Sequence, residues 1–290
     1  MDYDMPLYRP PSEADSLILQ ATYGCSNNTC LFCGMYKMKK FRIRRFDDLK
    51  ADILECARVV PGARRIFLAD GDALAIKTGQ LSATLSLLYE KFPLLERVTC
   101  YANPLNLLRK SPDDLRRLRS DGLDLLYLGV ETGSGRLLEK VQKGVTRAQM
   151  IEACGKALEA GFPLSVTVLL GLGGRGLSRE HILETASLCS QVNPTYVSAL
   201  TLMLGPFESY FKGIMGQDFE FVDKTGMLAE LRMLVENMET DGCVFRTNHA
   251  SNYLPLKGVL SRDRQKLLGV IDTALADPDR YLRPEFFRAL

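Results

Sequence analysis

Short apolar runs alternate with longer amphipathic stretches along the chain. The runs are Ser16–Ala21, Arg65–Ala69, Arg97–Tyr101, Leu125–Val130, Leu164–Leu170 and Tyr196–Leu202, with a shorter one near Val244–Thr247. Their lengths suit strands buried on both faces. Helices fill the gaps. Asp47 opens one with Leu49, Ile53, Cys56 and Val60 on a single face, and the next carries Leu81, Leu85 and Leu88. Ser111-Pro112-Asp113-Asp114 is an N-cap with proline at the first helical position, and Asp121-Gly122 stops that helix. Thr146 and Gln149 read as a capping box, and Gly161 ends the helix they start. Ser178, Asp223 and Ser261 open three more. This order predicts parallel strands with crossover helices. About six repeats, rather than the eight of a closed barrel, predict an α/β partial (β/α)6 TIM-like barrel, with a doubly wound sheet as the competing arrangement. No linker rich in Gly, Pro or Ser interrupts it. Residues 1–204 are expected to form the core. Residues 205–290 are expected to close the barrel and shape a substrate pocket within the same domain.

In such a barrel the loops after the strands gather at one face, where chemistry collects. Asp70-Gly71-Asp72 follows the second strand, Asn103-Pro104 the third, and Glu131-Thr132-Gly133-Ser134-Gly135 the fourth. Gly171 to Gly176 follows the fifth, Met203 to Pro206 the sixth, and Asn248 to Asn252 the last. The first loop, Gly24 to Met35, places Cys25, Cys30 and Cys33 within nine residues, with no fourth cysteine or histidine nearby. Three thiolates hold three irons of a four-iron cluster and leave the fourth open for another ligand. A structural zinc with a distant fourth ligand is the alternative. Cys56, Cys154 and Cys189 fall on helical apolar stripes, and Cys100 and Cys243 near strands. They read as inert core thiols.

Other residues in this ring carry two readings each. Asp70 and Asp72 either cap the next helix or bind an ammonium group. Glu131 either caps a helix or accepts from a ligand amine or ribose hydroxyl. His249 stands with Asn248, Ser251 and Asn252 as a pocket group or a structural residue, whereas His181 reads as structural. Gly171, Gly173 and Gly176 match GxGxxG after a strand, but in the fifth unit and with no acid ending the next strand. Close backbone approach to a ligand explains them better than a dinucleotide site.

Charge narrows the partners. Over 290 residues, 25% are charged and the net charge is +2, so no long-range field favours nucleic acid or membrane. Arg42, Arg44 and Arg45, and Arg116, Arg117 and Arg119, read as solvated surface, with contact to an anionic substrate as the other reading. The N-terminal segment lacks a signal-peptide pattern, and no apolar run approaches about 18 residues. A cytoplasmic location is expected, where cysteines are ligands or core thiols rather than disulfides.

With these residues in view, the chain resembles radical S-adenosylmethionine (radical SAM) enzymes. The matching features are the cysteine loop with Phe32 before its last cysteine, Gly71-Asp72, Leu128 to Ser134, Lys143 to Thr146, and Leu170 to Gly173. Within that superfamily it is most similar to the Elongator catalytic subunit, methylthiotransferase and oxygen-independent coproporphyrinogen oxidase branch, over roughly Leu17 to Leu204. The resemblance implies a [4Fe-4S] cluster on Cys25, Cys30 and Cys33, with S-adenosylmethionine (SAM) on the open iron and Phe32 against adenine. It implies that Gly71 and Asp72 meet the methionyl amine, that Glu131 and Lys143 contact the ribose and carboxylate region, and that Gly171 and Gly173 border the adenine. Reductive cleavage of SAM to a 5'-deoxyadenosyl radical would then abstract hydrogen from an unidentified substrate, under anaerobic conditions and with a reductant such as flavodoxin or ferredoxin. Transfer of the aminocarboxypropyl part of SAM, or non-catalytic zinc or iron-sulfur binding, are the other readings. Two features depart from the family pattern. The cysteine spacing is four then two rather than three then two, and Tyr101 and Thr167 stand where the coproporphyrinogen oxidase branch has acids. Substrate choice is expected from Arg246, Asn248, His249 and Asn252.

Overall fold

A computed structural model describes residues 2–288. Its elements in chain order begin with β1 (Leu17–Gln20), a short ribbon of β2 (Thr22–Tyr23) and β3 (Arg42–Ile43), α1 (Phe46–Val59) and β4 (Arg65–Ala69). Then come α2 (Thr78–Lys91), β5 (Arg97–Ala102), α3 (Pro104–Arg109), α4 (Pro112–Ser120) and β6 (Leu123–Glu131). Next are α5 (Gly135–Lys140), α6 (Arg147–Glu159), β7 (Leu164–Leu170), α7 (Gly174–Val192) and β8 (Tyr196–Thr201). The chain continues through α8 (Glu208–Met215), α9 (Lys224–Asn237), β9 (Val244–Arg246), β10 (Lys257–Val259) and α10 (Leu260–Ala276). The predicted strand–helix alternation is present.

Two compact units interleave along the sequence. One comprises the segment up to Asn28, Cys33–Leu128 and Glu152–Leu164; the other Thr29–Phe32, Gly129–Ile151 and the segment from Ser165 on. Residues on both sides of position 204 therefore lie in the second unit.

In the first unit β1, β4, β5 and β6 pair in parallel in that order, with a register shift at Val98/Thr99. Leu19, Ile66, Phe67, Leu68 and Leu126 are buried along the strands, and Leu49, Ile53, Leu81, Leu85 and Leu88 bury the apolar faces of α1 and α2. Each such side chain contributes about 1.5–3 kcal/mol. Phe67, Tyr101 and Tyr127 meet edge to face, with centroids 5.1–6.1 Å apart. The Tyr127 hydroxyl donates to the fully buried Glu13, which also accepts from Ser16 and, at 2.8 Å, from Arg97. A charge buried that deeply is tolerated because every partner is a donor. Glu13 is not legible as a core residue in the sequence, since a lone acid in a polar N-terminal stretch reads as solvent-exposed.

In the second unit β7, β8 and β9 pair in parallel, and β10 runs antiparallel to β9. A cluster of Leu31, Leu137, Val141, Leu172, Leu204, Phe211, Met215 and Phe219 forms part of its core, with Phe32 packed against it.

Local signals are met unevenly. The Ser111–Asp114 and Thr146–Gln149 capping boxes are both present, and the Asp223 side chain accepts from Gly226 N at the start of α9. Asp47 does not cap α1; Arg45 holds the N-cap position and Asp47 lies in the first turn. Ser178 does not open a helix either. It lies inside α7, which begins at Gly174, and its hydroxyl donates to Glu230 at 2.7 Å. Ser261 is the second residue of α10, whose N-cap is Val259. The β2–β3 ribbon and β10 have no sequence signal, because two or three residues carry no readable periodicity.

Candidate functional site

The cysteine loop leaves β2 through Gly24, whose φ of 70° favours glycine. A side chain there would also crowd Lys39, whose Cβ lies 3.3 Å from the position a Cβ would take. The Asp70 side chain organises this exit. It accepts from Gly24 N at 3.1 Å and from Gln20 Nε2 at 3.2 Å, and pairs with Lys39 Nζ at 2.9 Å. Gly71 N then donates to Gly24 O at 3.0 Å, fastening the loop after β4 to the loop after β2. Asp70 is thus a structural tie, and no cap. Lys39 escapes sequence reasoning because a lysine among Lys37, Lys40 and Arg42 looks like solvated charge, yet its side chain is only 4% exposed.

Gly71 and Asp72 sit beside the loop. A Cβ on Gly71 would lie 2.7 Å from Tyr36 Cε2 and 3.0 Å from Cys25 Cβ, so only glycine lets the backbone pass so close to the first cysteine. Asp72 is fully buried and accepts from the Ser26 hydroxyl and the Asn106 amide through Oδ2. Its Oδ1 has no partner. Burial pushes its carboxyl up to about 6, against the hydrogen bonds that favour ionisation. Its side chain makes no cap to the turn that follows. A buried acceptor left unpaired costs free energy unless a ligand donor reaches it.

In the second unit, the Thr29–Phe32 stretch of the loop is fixed to the turn after α5. Leu31 N donates to Val141 O at 3.0 Å, and Thr29 Oγ1 to Gln142 O at 3.2 Å. Lys143 Nζ lies 5.7 Å from the Phe32 ring centroid and 2.9 Å from Glu131 Oε1. Glu131 ends β6 with φ 65°, a left-handed conformation that non-glycine residues adopt seldom. Gly129 is required beneath this pair, because a Cβ there would stand 2.0 Å from Glu131 Oε1. Phe32, Glu131 and Lys143, far apart in sequence, are therefore brought together, and Glu131 caps no helix.

The glycines after β7 make close approaches within the protein. At Gly171, with φ 83°, a Cβ would meet Met227 Cε at 2.2 Å, and at Gly173 it would meet Leu177 O at 3.0 Å. Gly171 N donates to Glu230 Oε2 at 2.6 Å. Burial pushes the Glu230 carboxyl up to about 7, opposed by its bonds from Ser178 and Gly171. The folded state thus holds this proton more tightly than the unfolded chain. The stabilisation is complete below about 4.5 and is lost as pH rises through about 7. Glu230→Gln keeps both hydrogen bonds without the charge. The difference in unfolding free energy between wild type and this variant should move against the wild type by up to about 3 kcal/mol across that window; parallel profiles would contradict it. The comparison is needed because His181 opposes the trend. Burial lowers its imidazole to about 4, so its contribution is present above 6.5 and lost as pH falls toward 4. His181 is fully buried, with Nε2 2.7 Å from Leu169 O and Nδ1 2.8 Å from Thr132 Oγ1, a structural role.

The expected substrate-side residues differ in their surroundings. Arg246 stacks 5.5 Å from the Tyr196 ring centroid and has a buried Nε without a partner. Asn248 is exposed. His249 Nδ1 meets Ser251 N at 3.1 Å and its hydroxyl at 2.9 Å, and burial, then the Arg283 charge, lowers its imidazole. Asn252 is buried. Its amide donates to Ala199 O and Thr247 O and accepts from Thr201, which ties β8 to the segment after β9.

The five remaining cysteines are buried, and burial raises Cys154 to about 12 and Cys243 to about 11. Such thiols stay protonated and are poor metal ligands. Among the described residues, no three His, Cys, Asp or Glu side chains converge on a single ion position. No helix of the described residues is long and apolar enough to cross a membrane.

The family model described as the Radical SAM superfamily matches residues 19–189. The tRNA-2-methylthio-N(6)-dimethylallyladenosine synthase of Myxococcus xanthus (strain DK1622) is 26% identical over 170 residues, 58% of this chain and 36% of that protein. Heme chaperone HemW of Bacillus subtilis (strain 168) is 23% identical over 185 residues, 63% of this chain and 48% of that one. The chain thus spans less than half the length of these curated relatives. Coproporphyrinogen III oxidase (HemN) from Escherichia coli superposes with a TM-score of 0.58 at 19% identity, covering 76% of this chain and 51% of its own. Methylornithine synthase (PylB) superposes with a TM-score of 0.54 at 16% identity, covering 79% and 63%. At such identities the likeness shows the fold, the α/β TIM-like architecture read from the strand order. With the family model covering more than half of its residues, the chain belongs to the radical SAM superfamily.

Proposed function

We propose that this chain is an enzyme in which Cys25, Cys30 and Cys33 hold a [4Fe-4S] cluster and SAM binds beside them. The observation that carries this reading is the pairing of a three-cysteine loop with the unpartnered, buried Asp72 Oδ1 next to it. A carboxylate with one free lone-pair face, held by Ser26 and Asn106, is a receptor for an ammonium donor such as the methionyl amine. Gly71 lets the backbone that carries Asp72 pass close to Cys25, so three thiols and a carboxylate acceptor are the donor set the two cofactors need.

A [4Fe-4S] cluster held by Cys25, Cys30 and Cys33 would supply the one electron needed for reductive cleavage of SAM and hydrogen abstraction from substrate. The chain's own part is placement and shielding. Phe32 offers a ring face to adenine, and the Glu131–Lys143 pair offers an acceptor and a donor to the ribose and carboxylate. Gly171 and Gly173 would line the adenine side through backbone atoms. Arg246, Asn248 and His249 would face the substrate, while the three hydrogen bonds of Asn252 make it the support beneath them. The core to residue 204 with a closing extension, a cytoplasmic and anaerobic setting, and a flavodoxin- or ferredoxin-type reductant complete the reading.

Anaerobic reconstitution with iron and sulfide, followed by dithionite and SAM, should yield 5'-deoxyadenosine. Methylthioadenosine instead would assign transfer of the aminocarboxypropyl group. Neither product, with zinc retained, would leave a binding protein without radical chemistry.

A further inference from the structure

Three parallel strands of the second unit each carry one polar residue at the same level. Thr167 of β7 is in register with Ser198 of β8, and Ser198 with Arg246 of β9. Residues paired in this way project from the same face of a sheet. All three are half-buried, whereas Val168, Val197 and Phe245, which alternate with them on the opposite face, are buried apolar side chains. The antiparallel β10 extends the row, with the exposed Lys257 directly opposite Arg246.

The row is rich in donors that the protein itself does not use. Among the described residues, the side chains of Thr167, Ser198 and Arg246 make no hydrogen bond, although the Arg246 Nε is buried. No described carboxylate forms an ion pair with Arg246 or Lys257. The Tyr196 ring, its centroid 5.5 Å from Arg246 Cζ, steadies the guanidinium without consuming an N–H. Polar groups at the far end of β8 are satisfied: Thr201 donates to Asn252, whose amide donates to Ala199 O and Thr247 O. The lack of partners therefore belongs to this row and not to the strands in general. Like charges directly opposite on one sheet face, with Cβ atoms about 5 Å apart, are destabilising, and a buried donor left unpaired costs more. An anion from outside the protein relieves both.

We infer that Arg246, with Lys257 and the Ser198 hydroxyl, binds the phosphate group of a small substrate. This rests on the reading of Arg246 as a substrate-side residue and names the group it meets. A phosphate monoester carries close to two negative charges at neutral pH and three acceptor oxygens. It matches two facing cations flanked by hydroxyls with no acid among them, whereas a carboxylate brings one charge. The guanidinium fork pairs with two phosphate oxygens, and lysine serves as a point charge beside it. The phosphodiesters of a nucleic acid carry one charge each and are the poorer match.

The test needs neither cluster nor SAM. The thermal midpoint of the full chain is followed as inorganic phosphate, acetate or chloride is added at constant ionic strength, for wild type, Arg246→Gln and Lys257→Gln. Phosphate should raise the wild-type midpoint saturably, as a ligand of the folded state does, and acetate and chloride should raise it far less. Arg246→Gln should weaken the apparent phosphate affinity about tenfold or more. Lys257→Gln, at an exposed position, should weaken it by a smaller factor that higher ionic strength erases. Before any phosphate is added, Arg246→Gln should melt no lower than wild type, because it removes an unpaired cation facing Lys257. A variant that melts lower or fails to fold would make Arg246 structural and overturn the inference. An equal phosphate response in all three proteins would do the same, as would an acetate response as large as that to phosphate. A midpoint raised by bulk RNA but not by phosphate would overturn it in favour of a nucleic-acid site. If phosphate binds as expected while the reconstituted chain leaves SAM intact, the cofactor reading falls and this site stands.

Discussion

Cys30→Ala should leave the reconstituted protein without its iron and visible absorption, while Cys154→Ala should keep both. The two thiols are similarly hidden, with Cys30 7% exposed and Cys154 fully buried, so burial alone predicts no difference. Their chemistry separates them. Cys154 lies in α6, where burial keeps its thiol protonated, with a pKa pushed up to about 12. Cys30 lies in the loop with two further cysteines, and loss of one of three thiolates removes a third of the protein's hold on the cluster. The loop should survive the change. Leu31 remains in the apolar cluster and bonded to Val141 O, so iron loss without a fall in thermal midpoint would report ligation rather than unfolding. Equal iron content in the two variants would remove Cys30 from the ligand set.

Lys39→Met should destabilise the protein by about 3–5 kcal/mol, because it strands the Asp70 charge in the interior. Asp70 is fully buried and cannot recover the lost ammonium from water. The lysine also donates to Asp4 O, which would lose that donor. Adding Asp70→Asn to the same chain should restore part of the loss. The carbonyl oxygen of the new amide keeps the bond from Gly24 N, and no charge remains to be solvated. Denaturant unfolding under reducing conditions measures both steps. A single variant within about 0.5 kcal/mol of wild type would show that the pair does not hold the loop. The same substitution should lower cluster occupancy, since Gly24 directly precedes Cys25 and loses its fixed acceptor.

These two residues illustrate what can be read in advance. The cysteine triplet is local, so its spacing alone proposes a ligand set. Lys39 is defined by a partner 31 positions away, and nothing in a run of lysines distinguishes the one that turns inward. The same holds for Glu131. Its sequence neighbourhood permits a helix cap, but the left-handed backbone and the Lys143 ammonium decide otherwise. Gly129 looks like an ordinary strand glycine until the ion pair fills the space beside it. In the GxGxxG run, a Cβ on Gly171 would meet Met227 and one on Gly173 the first turn of α7, whereas Gly176 faces open space, and the motif's spacing does not separate the three.

From sequence alone came the alternation of strand and helix, the parallel α/β architecture, the Ser111 N-cap, the Thr146–Gln149 capping box and the superfamily, because each depends on neighbours a few residues apart or on a short motif. Tertiary structure decided which polar residues are buried and what they hold: Glu13 on Tyr127 and Arg97, Asp70 on Lys39, Asp72 with one oxygen left over, and Glu230 on Gly171. Those assignments depend on distance through space and on the exclusion of water, and the order of letters along a chain encodes neither until the chain has folded.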